Sequence, residues 1–200
     1  MAVKIEHIGH AAFRLSAGDR VVYIDPYELP AGAAAATAVL VTHDHYDHCS
    51  AADVKKVAGP STTILAPEVC RSKLKGLGGR FVAVKPGGAY DANGVSVRAL
   101  PAYNTNKNYH PRAAGYVGYV ISMGGETVYH AGDTDLIPEM DDLRPDVALL
   151  PVGGTFTMTA EEAAEAFRKL GAKRAIPMHF GSVVGSKADA GRFLKLIGGK

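Results

Sequence analysis

The six residues from His43 to His48, in the run Thr42-His43-Asp44-His45-Tyr46-Asp47-His48, hold three imidazoles and two carboxylates directly after the apolar stretch Ala38-Val39-Leu40-Val41. Neutral imidazole and ionised carboxylate are the ligands that borderline divalent cations such as Zn²⁺ take. Gathering so many of them without a cation would be costly. In an extended segment His43 and His45 project to one side, and Asp47 and His48 follow where the chain turns out of the strand. One ion could take the first pair and a second ion the other. Asp44 points away from its neighbours and is expected to stand behind the ligands or to cap a helix.

A solvated His/Asp-rich loop that picks up metal adventitiously is the plainer alternative. The context argues against it, because an apolar strand leads in and a helix follows. Ser50 with Asp53 is a helix start and Gly59-Pro60 a stop. A catalytic zinc site keeps one position open for water, so further ligands have to come from elsewhere in the chain. Two residues offer themselves. Asp133, in His130-Ala131-Gly132-Asp133-Thr134, follows a strand and a glycine that permits close approach. His179, in Met178-His179-Phe180-Gly181, ends another apolar strand. Taken singly, the first reads as a turn aspartate and the second as a structural histidine.

The elements that must position these groups are mostly short strands in the first half: Val3 to Ile8, Phe13 to Leu15, Val21 to Ile24 and Ala38 to Val41. Residues Pro26 to Ala36 form a surface loop. After the helix from about Ser50, a strand is expected at Thr62 to Ala66, a proline-opened helix at Pro67 to Leu77 and a strand at Phe81 to Val84. The second half predicts a strand at Val95 to Leu100 and a hairpin of Tyr116 to Ser122 with Thr127 to His130 across Gly124-Gly125. A buried strand follows at Val147 to Pro151. Thr159 and Glu162 form a capping-box pattern for a helix that buries Ala160, Ala163, Ala164, Phe167 and Leu170 and stops at Gly171. Ala175 to Met178 then delivers His179, and a last helix spans about Ala188 to Ile197.

Two hundred residues, 47% hydrophobic and 21% charged, suit one globular domain over 1–200 with a sizeable core. A net charge of +2 argues against a dedicated nucleic-acid binder. The local basic bias at Arg71, Lys73, Lys75, Arg80 and Lys85 has only Phe81 to stack on a base, so it reads as a solvated face. Cys49 and Cys70 are too few for a disulfide framework and are expected to be free thiols, with Cys49 close enough in sequence to His48 to face the site. No signal-like segment and no run of ~20 apolar residues is present, so a cytoplasmic protein without a membrane span is expected.

Taken jointly, the H-x-H-x-D-H run, the later Gly-Asp and the final strand-end histidine resemble the metallo-β-lactamase superfamily, and the resemblance covers nearly the whole chain. Gly9-His10, Ile24-Asp25-Pro26, Leu150-Pro151-Val152-Gly153-Gly154 and Ile176-Pro177-Met178-His179 look like the small metal-dependent hydrolases related to the ascorbate-phosphate lactonases. The resemblance implies an α/β fold, a four-layer αββα sandwich with two mixed sheets. It implies two divalent metal ions, Zn with Mn, Fe or Ni as alternatives. His43 and His45 would hold the first ion, Asp47, His48 and His179 the second, and Asp133 would bridge them. Asp25 would orient a ligand imidazole. His10 would stand behind the ligands or contact substrate, and His7 and His130 are expected as strand histidines, His130 with the option of bonding a ligand from behind.

The chain departs from the family at one position. The remaining first-metal histidine usually follows the strand represented by Ala99 to Tyr103, where Asn104 stands here, and a side-chain amide is a poor zinc ligand. His110, six residues later, is expected to replace it; the alternative is a substrate-loop histidine beside an open first site. Lys107 and Arg112, flanking His110, would suit an anionic substrate or merely solvate their loop.

The activity implied is hydrolysis of a small ester, lactone or phosphodiester by a metal-bridging hydroxide, with Asp47 and Asp133 as the catalytic carboxylates and Asp47 or Tyr103 as proton donor to the leaving group. A phosphodiesterase or ribonuclease of the same fold, a diiron redox protein and a metal-binding protein without turnover are the competing classes. Substrate, metal identity and oligomeric state stay open at this level.

Overall fold

In the computed structural model, which describes residues 2–141 and 143–199, one six-stranded sheet is built in chain order. It consists of β1 (Lys4–Gly9), β2 (Ala12–Ala17), β3 (Arg20–Ile24), β4 (Ala38–Leu40), β5 (Thr63–Pro67) and β6 (Arg80–Val84), with α1 (Ala51–Val57) and α2 (Arg71–Leu74) on its crossovers. The second six-stranded sheet takes β7 (Ala89–Asp91), β8 (Ser96–Pro101), β9 (Val117–Met123), β10 (Glu126–His130), β11 (Val147–Pro151) and β12 (Arg174–Met178), with α3 (Ala160–Leu170) and α4 (Lys187–Leu196). Both sheets follow one plan, an antiparallel meander that turns parallel: β3 to β6 run parallel in the first, β10 to β12 in the second.

The four layers follow from side-chain alternation along the strands. Ala38 and Leu40 of β4, Val22 and Ile24 of β3 and Leu65 of β5 enter the core between the sheets. Their neighbours Val39, Val41, Tyr23, Ile64 and Ala66 face a second apolar cluster with Val54, Val57 and Leu74 of the helices. In the other sheet β11 is buried on both faces, and α3 and α4 cover it with Phe167, Leu170 and Phe193. The αββα sandwich expected from the sequence is the fold observed.

Local chemistry fixes the helix ends. Thr159 and Glu162 exchange both bonds of a capping box at α3, and Gly171 ends it at φ +62°. Ser50 caps α1, so Asp44 has no capping role; its carboxylate accepts from the Tyr116 hydroxyl at 2.9 Å. Ser186 and Asp189 form a second capping box that starts α4 one residue earlier than expected.

The segment 67–77 corrects the expectation of a single helix. Pro67 completes β5, residues Glu68–Cys70 form a 3₁₀ turn, and only Arg71–Leu74 is α-helical before Gly76 takes φ +82°. The short strand β7 was not foreseen, since three residues carry no periodicity. Cys49 and Cys70 are both buried free thiols in the apolar cluster beneath α1 and α2, so Cys49 does not face the site. Phe81 is covered by the Arg71 guanidinium at 4.5 Å, which removes it as a base-stacking surface. Among the described residues, no helix is long and apolar enough to cross a membrane.

Tyr119 ties the sheets together just before the His43–His48 run. Its fully buried hydroxyl donates to the Val41 carbonyl at 2.8 Å and lies 3.2 Å from that of Leu65. Tyr119→Phe is expected to cost about 1–2 kcal/mol in urea denaturation. An unchanged denaturation midpoint would show that this tie carries no stability.

Candidate metal centre

The site lies where several strands end on one side of the sandwich. After β4 the chain passes through Thr42 and turns, His48 and Cys49 both donating backbone N–H groups to the His45 carbonyl at 3.1 and 2.8 Å. That turn folds His48 back beside His43, their ring centroids 4.1 Å apart. Asp133 arrives three residues after β10, and His179 one residue after β12.

Three of these positions require strained backbone. His10, Asp25 and His179 take φ of +48°, +45° and +59°, a region that non-glycine residues rarely occupy. Two glycines permit the close approach of neighbouring segments. A Cβ on Gly132 would lie 2.8 Å from the Val117 carbonyl oxygen, and one on Gly153 only 2.5 Å from that of His179.

The hydrogen bonds behind the rings select which nitrogen faces the centre. Asp25, fully buried, accepts from the Thr42 N–H at 2.8 Å, the Thr42 hydroxyl at 2.7 Å and His48 Nδ1 at 2.7 Å. With its proton given to Asp25, the Thr42 hydroxyl accepts from His43 Nδ1 at 2.9 Å. His43 and His48 therefore both turn Nε2 inward, the orientation expected of histidines backed by such partners. His130 stands apart: its Nε2 donates to the Ala11 carbonyl at 2.9 Å and its Nδ1 accepts from the Gly132 N–H. It is a structural histidine, as is His7, stacked on Phe13 at 4.6 Å.

His110 joins His43 and His45, the donor atoms of the three lying within 4.8 Å of one another. Asn104 does not enter this group. Its Oδ1 accepts from both the N–H and Nδ1 of His110, at 2.9 and 3.1 Å, while its amide nitrogen donates to the Phe156 carbonyl. The amide thus orients the His110 imidazole toward His43 and His45.

A second group gathers His10, Asp47, His48 and His179, with His10 Nε2 on Asp47 Oδ2 at 3.0 Å. Asp133 lies between the groups. Its Oδ1 is 3.4 Å from His48 Nε2; its Oδ2 is 2.9 Å from His179 Nε2, 3.4 Å from His110 Nε2 and 3.9 Å from His43 Nε2.

These residues fit divalent cations. His48 Nε2, His110 Nε2 and Asp133 Oδ1 are buried without a hydrogen-bond partner, a costly state that a cation between them would relieve. Donor atoms around a tetrahedral zinc lie about 3.3 Å apart, and His43 Nε2 to His45 Nδ1 is 3.1 Å.

The electrostatics agree. Burial pushes His43 well below its ordinary value and lowers His110, so both are neutral donors. Burial opposes ionisation of Asp133, but the charges of His179 and His48 outweigh it and hold the carboxyl well below its usual range. Asp47 is lowered in the same sense, the His10 hydrogen bond and His48 overcoming burial. His48 goes the other way: burial disfavours its charge, yet Asp133 and Asp25 raise it well above the ordinary value.

Three candidate side chains between 103 and 112 are engaged away from the centre, and of the two roles open to Lys107 and Arg112 the one directed at substrate is not the one seen. Lys107 is bound to buried Asp135 at 2.7 Å, and Arg112 to Glu139 at 2.9 Å, so neither is directed at the site. Tyr103 donates to Glu139 at 3.0 Å and does not line the cleft, which leaves it without a role as proton donor. Two contributors went unforeseen. Tyr116 packs its ring 5.1 Å from that of His43, and Lys73 lines the cleft above the centre. Nothing local in the sequence distinguishes either residue.

A sandwich of two mixed sheets with a His/Asp cluster at its strand ends defines the metallo-β-lactamase class, and the chain matches the beta-lactamase superfamily domain over residues 4–179. Within that class the chain belongs to the UPF0173 metal-dependent hydrolases. It is 38% identical to one of them from Methanoregula boonei, over 95% of this chain and 87% of that relative. A solved structure from Parabacteroides distasonis superposes with a TM-score of 0.86 at 32% identity, covering 98% of this chain and 90% of that one. Igni18, a metallo hydrolase from Ignicoccus hospitalis, does so with a TM-score of 0.77 at 26% identity, with the same coverages.

Asp133 and Asp25 raise His48 well above its ordinary value, and a metal donor must be deprotonated, so metal affinity is expected to rise with pH and to go on rising above the usual histidine range, with proton release on binding. Calorimetry in buffers of different ionisation enthalpy measures this; a flat profile would contradict it. His110→Ala is expected to remove part of the bound metal, and Asn104→Ala to weaken affinity by about 10–100-fold at full stoichiometry. Unchanged metal content in the His110 variant would take that residue out of the ligand set.

Proposed function

We propose that the protein is a dinuclear metal-dependent hydrolase of a small ester, lactone or phosphodiester, organised as one domain over 1–200. The reading is carried by one observation: two clusters of donor atoms, His43/His45/His110 and Asp47/His48/His179, share the buried carboxylate of Asp133. Zinc suits the nitrogen-rich donor set, and Mn, Fe or Ni would be accepted by the same residues. Kinship to the ascorbate-phosphate lactonases rests on the shared short motifs, and a cytoplasmic location on the two free thiols.

When bound, a pair of divalent cations would supply Lewis acidity and an acidified water as nucleophile. The chain's own residues do the rest. His10 holds Asp47 Oδ2, leaving the other oxygen of a carboxylate that lines the cleft free to move a proton. Asp47 stays ionised through the neutral range, so it can take the proton of the attacking water and deliver it to the departing oxygen. Asp133 holds the two donor clusters in register, and Asp25, Thr42 and Asn104 keep three imidazoles turned inward.

Turnover of the metal-reconstituted protein on a panel of esters, lactones and phosphodiesters tests the reading. Asp47→Asn is expected to lower kcat/KM by about 10²-fold or more. Full activity in that variant removes Asp47 from the chemistry. Tight metal binding with no turnover on any member of the panel would instead favour a metal-binding protein.

A further inference from the structure

Above the candidate centre opens a cleft of about 540 Å³, within the range that encloses a small organic ligand. Its floor is the metal-binding cluster, but its walls are of a different character. Tyr46, Tyr109, Phe156 and Val183 supply them, and Tyr46 and Tyr109 are 64% and 51% exposed. Large apolar side chains left in water around a concave site mark a binding surface. These rings are also held in place: Tyr109 meets Phe156 edge-on at 4.7 Å, and Tyr46 meets Tyr27 edge-on at 6.1 Å. Tyr46 lies between His45 and Asp47 in sequence, and Tyr109 next to His110. Each ring is therefore one residue, about 3.8 Å of chain, from a group of the reaction centre.

The charge at the cleft is as specific. Lys107 and Arg112 are committed to Asp135 and Glu139, and Arg71 to Glu68. Lys73 is the cation that lines the cleft, and its ammonium donates to the backbone carbonyl of Asp44. Among the described residues no carboxylate lies within ion-pair distance of it. The Asp44 carboxylate is engaged by the Tyr116 hydroxyl. Lys73 thus offers at the wall a positive charge that no carboxylate among the described residues pairs directly.

We propose that the cleft takes substrates with an aromatic group next to the scissile bond and one further negative charge, the ring lodging between Tyr46 and Tyr109 and the anion meeting Lys73. This inference rests on the hydrolase reading and names the substrate class within it. A single lysine suits one carboxylate or phosphate, and walls of rings and Val183 present flat apolar surface to an aromatic group.

The test is a ladder of product-like ligands, acetate, phenylacetate and 4-carboxyphenylacetate, titrated calorimetrically into the metal-reconstituted protein. The ring is expected to add about tenfold or more in affinity, and the second carboxylate about fivefold further. Tyr109→Ala should abolish most of the first increment. Lys73→Met should abolish the second and leave the first intact. Both side chains are exposed, and circular dichroism with metal analysis verifies that each variant folds and loads. Phenylacetate binding no better than acetate, or a second increment that survives Lys73→Met, overturns the proposal. Turnover of the panel of esters, lactones and phosphodiesters on the same samples separates the two readings. A ladder without turnover sinks the hydrolase and spares the subsite; turnover without a ladder sinks the subsite alone.

Discussion

The carboxylate of Asp25, with no solvent contact, is the group on which the site depends. An unpaired charge in such a position would be prohibitive. Here the Thr42 N–H, the Thr42 hydroxyl and His48 Nδ1 satisfy it together. Satisfying that one charge sets the course of the chain beyond β4 and the tautomer of two imidazoles, His48 directly and His43 through the Thr42 hydroxyl. Its own backbone is held at φ +45°, so the arrangement stores strain that the surrounding sheet must sustain. A neutral side chain at this position would leave the rings free to present either nitrogen.

Much of this was legible in the chain because the donors are packed into local motifs. His43 to His48 is a single turn beyond a strand, Asp133 follows a glycine after an apolar run, and His179 ends another apolar run two residues before a glycine. His110 was legible only against a pattern, as the histidine nearest to a position where Asn104 interrupts it. What stayed hidden depends on contacts across the fold. The partners of Lys107 and Arg112 are Asp135 and Glu139, about 28 residues away in sequence, and no local pattern shows that two loop cations are neutralised there. Tyr116 and Lys73 acquire their places only when β9 and α2 dock beside the β4 turn. The break in the helix expected over 67–77 has a similar origin, since Pro67 is claimed by pairing with β6.

The two sheets share a plan that their sequences do not display. Each begins as an antiparallel meander and finishes with parallel strands, and the site draws chiefly on the parallel part of both, the turn after β4 from one and Asp133 and His179 from the other, with His10 and His110 added from antiparallel connections. Parallel strands end together on one side and leave a crevice there, which is the usual place for a ligand in α/β sheets. The polar residues gathered at that edge are themselves buried and find their partners in one another, while the core below stays apolar.

The bond pair between Asn104 and His110 works as a ruler. Asn104 receives both the backbone and the ring of a residue six places on, and the two segments also meet through the Asn104 N–H and the His110 carbonyl. One residue more or fewer between them would rotate the imidazole out of the centre. The length of this stretch, more than its composition, therefore sets where the imidazole stands. Room for change at the cleft then lies in the rings at its rim and in loops that carry no donor.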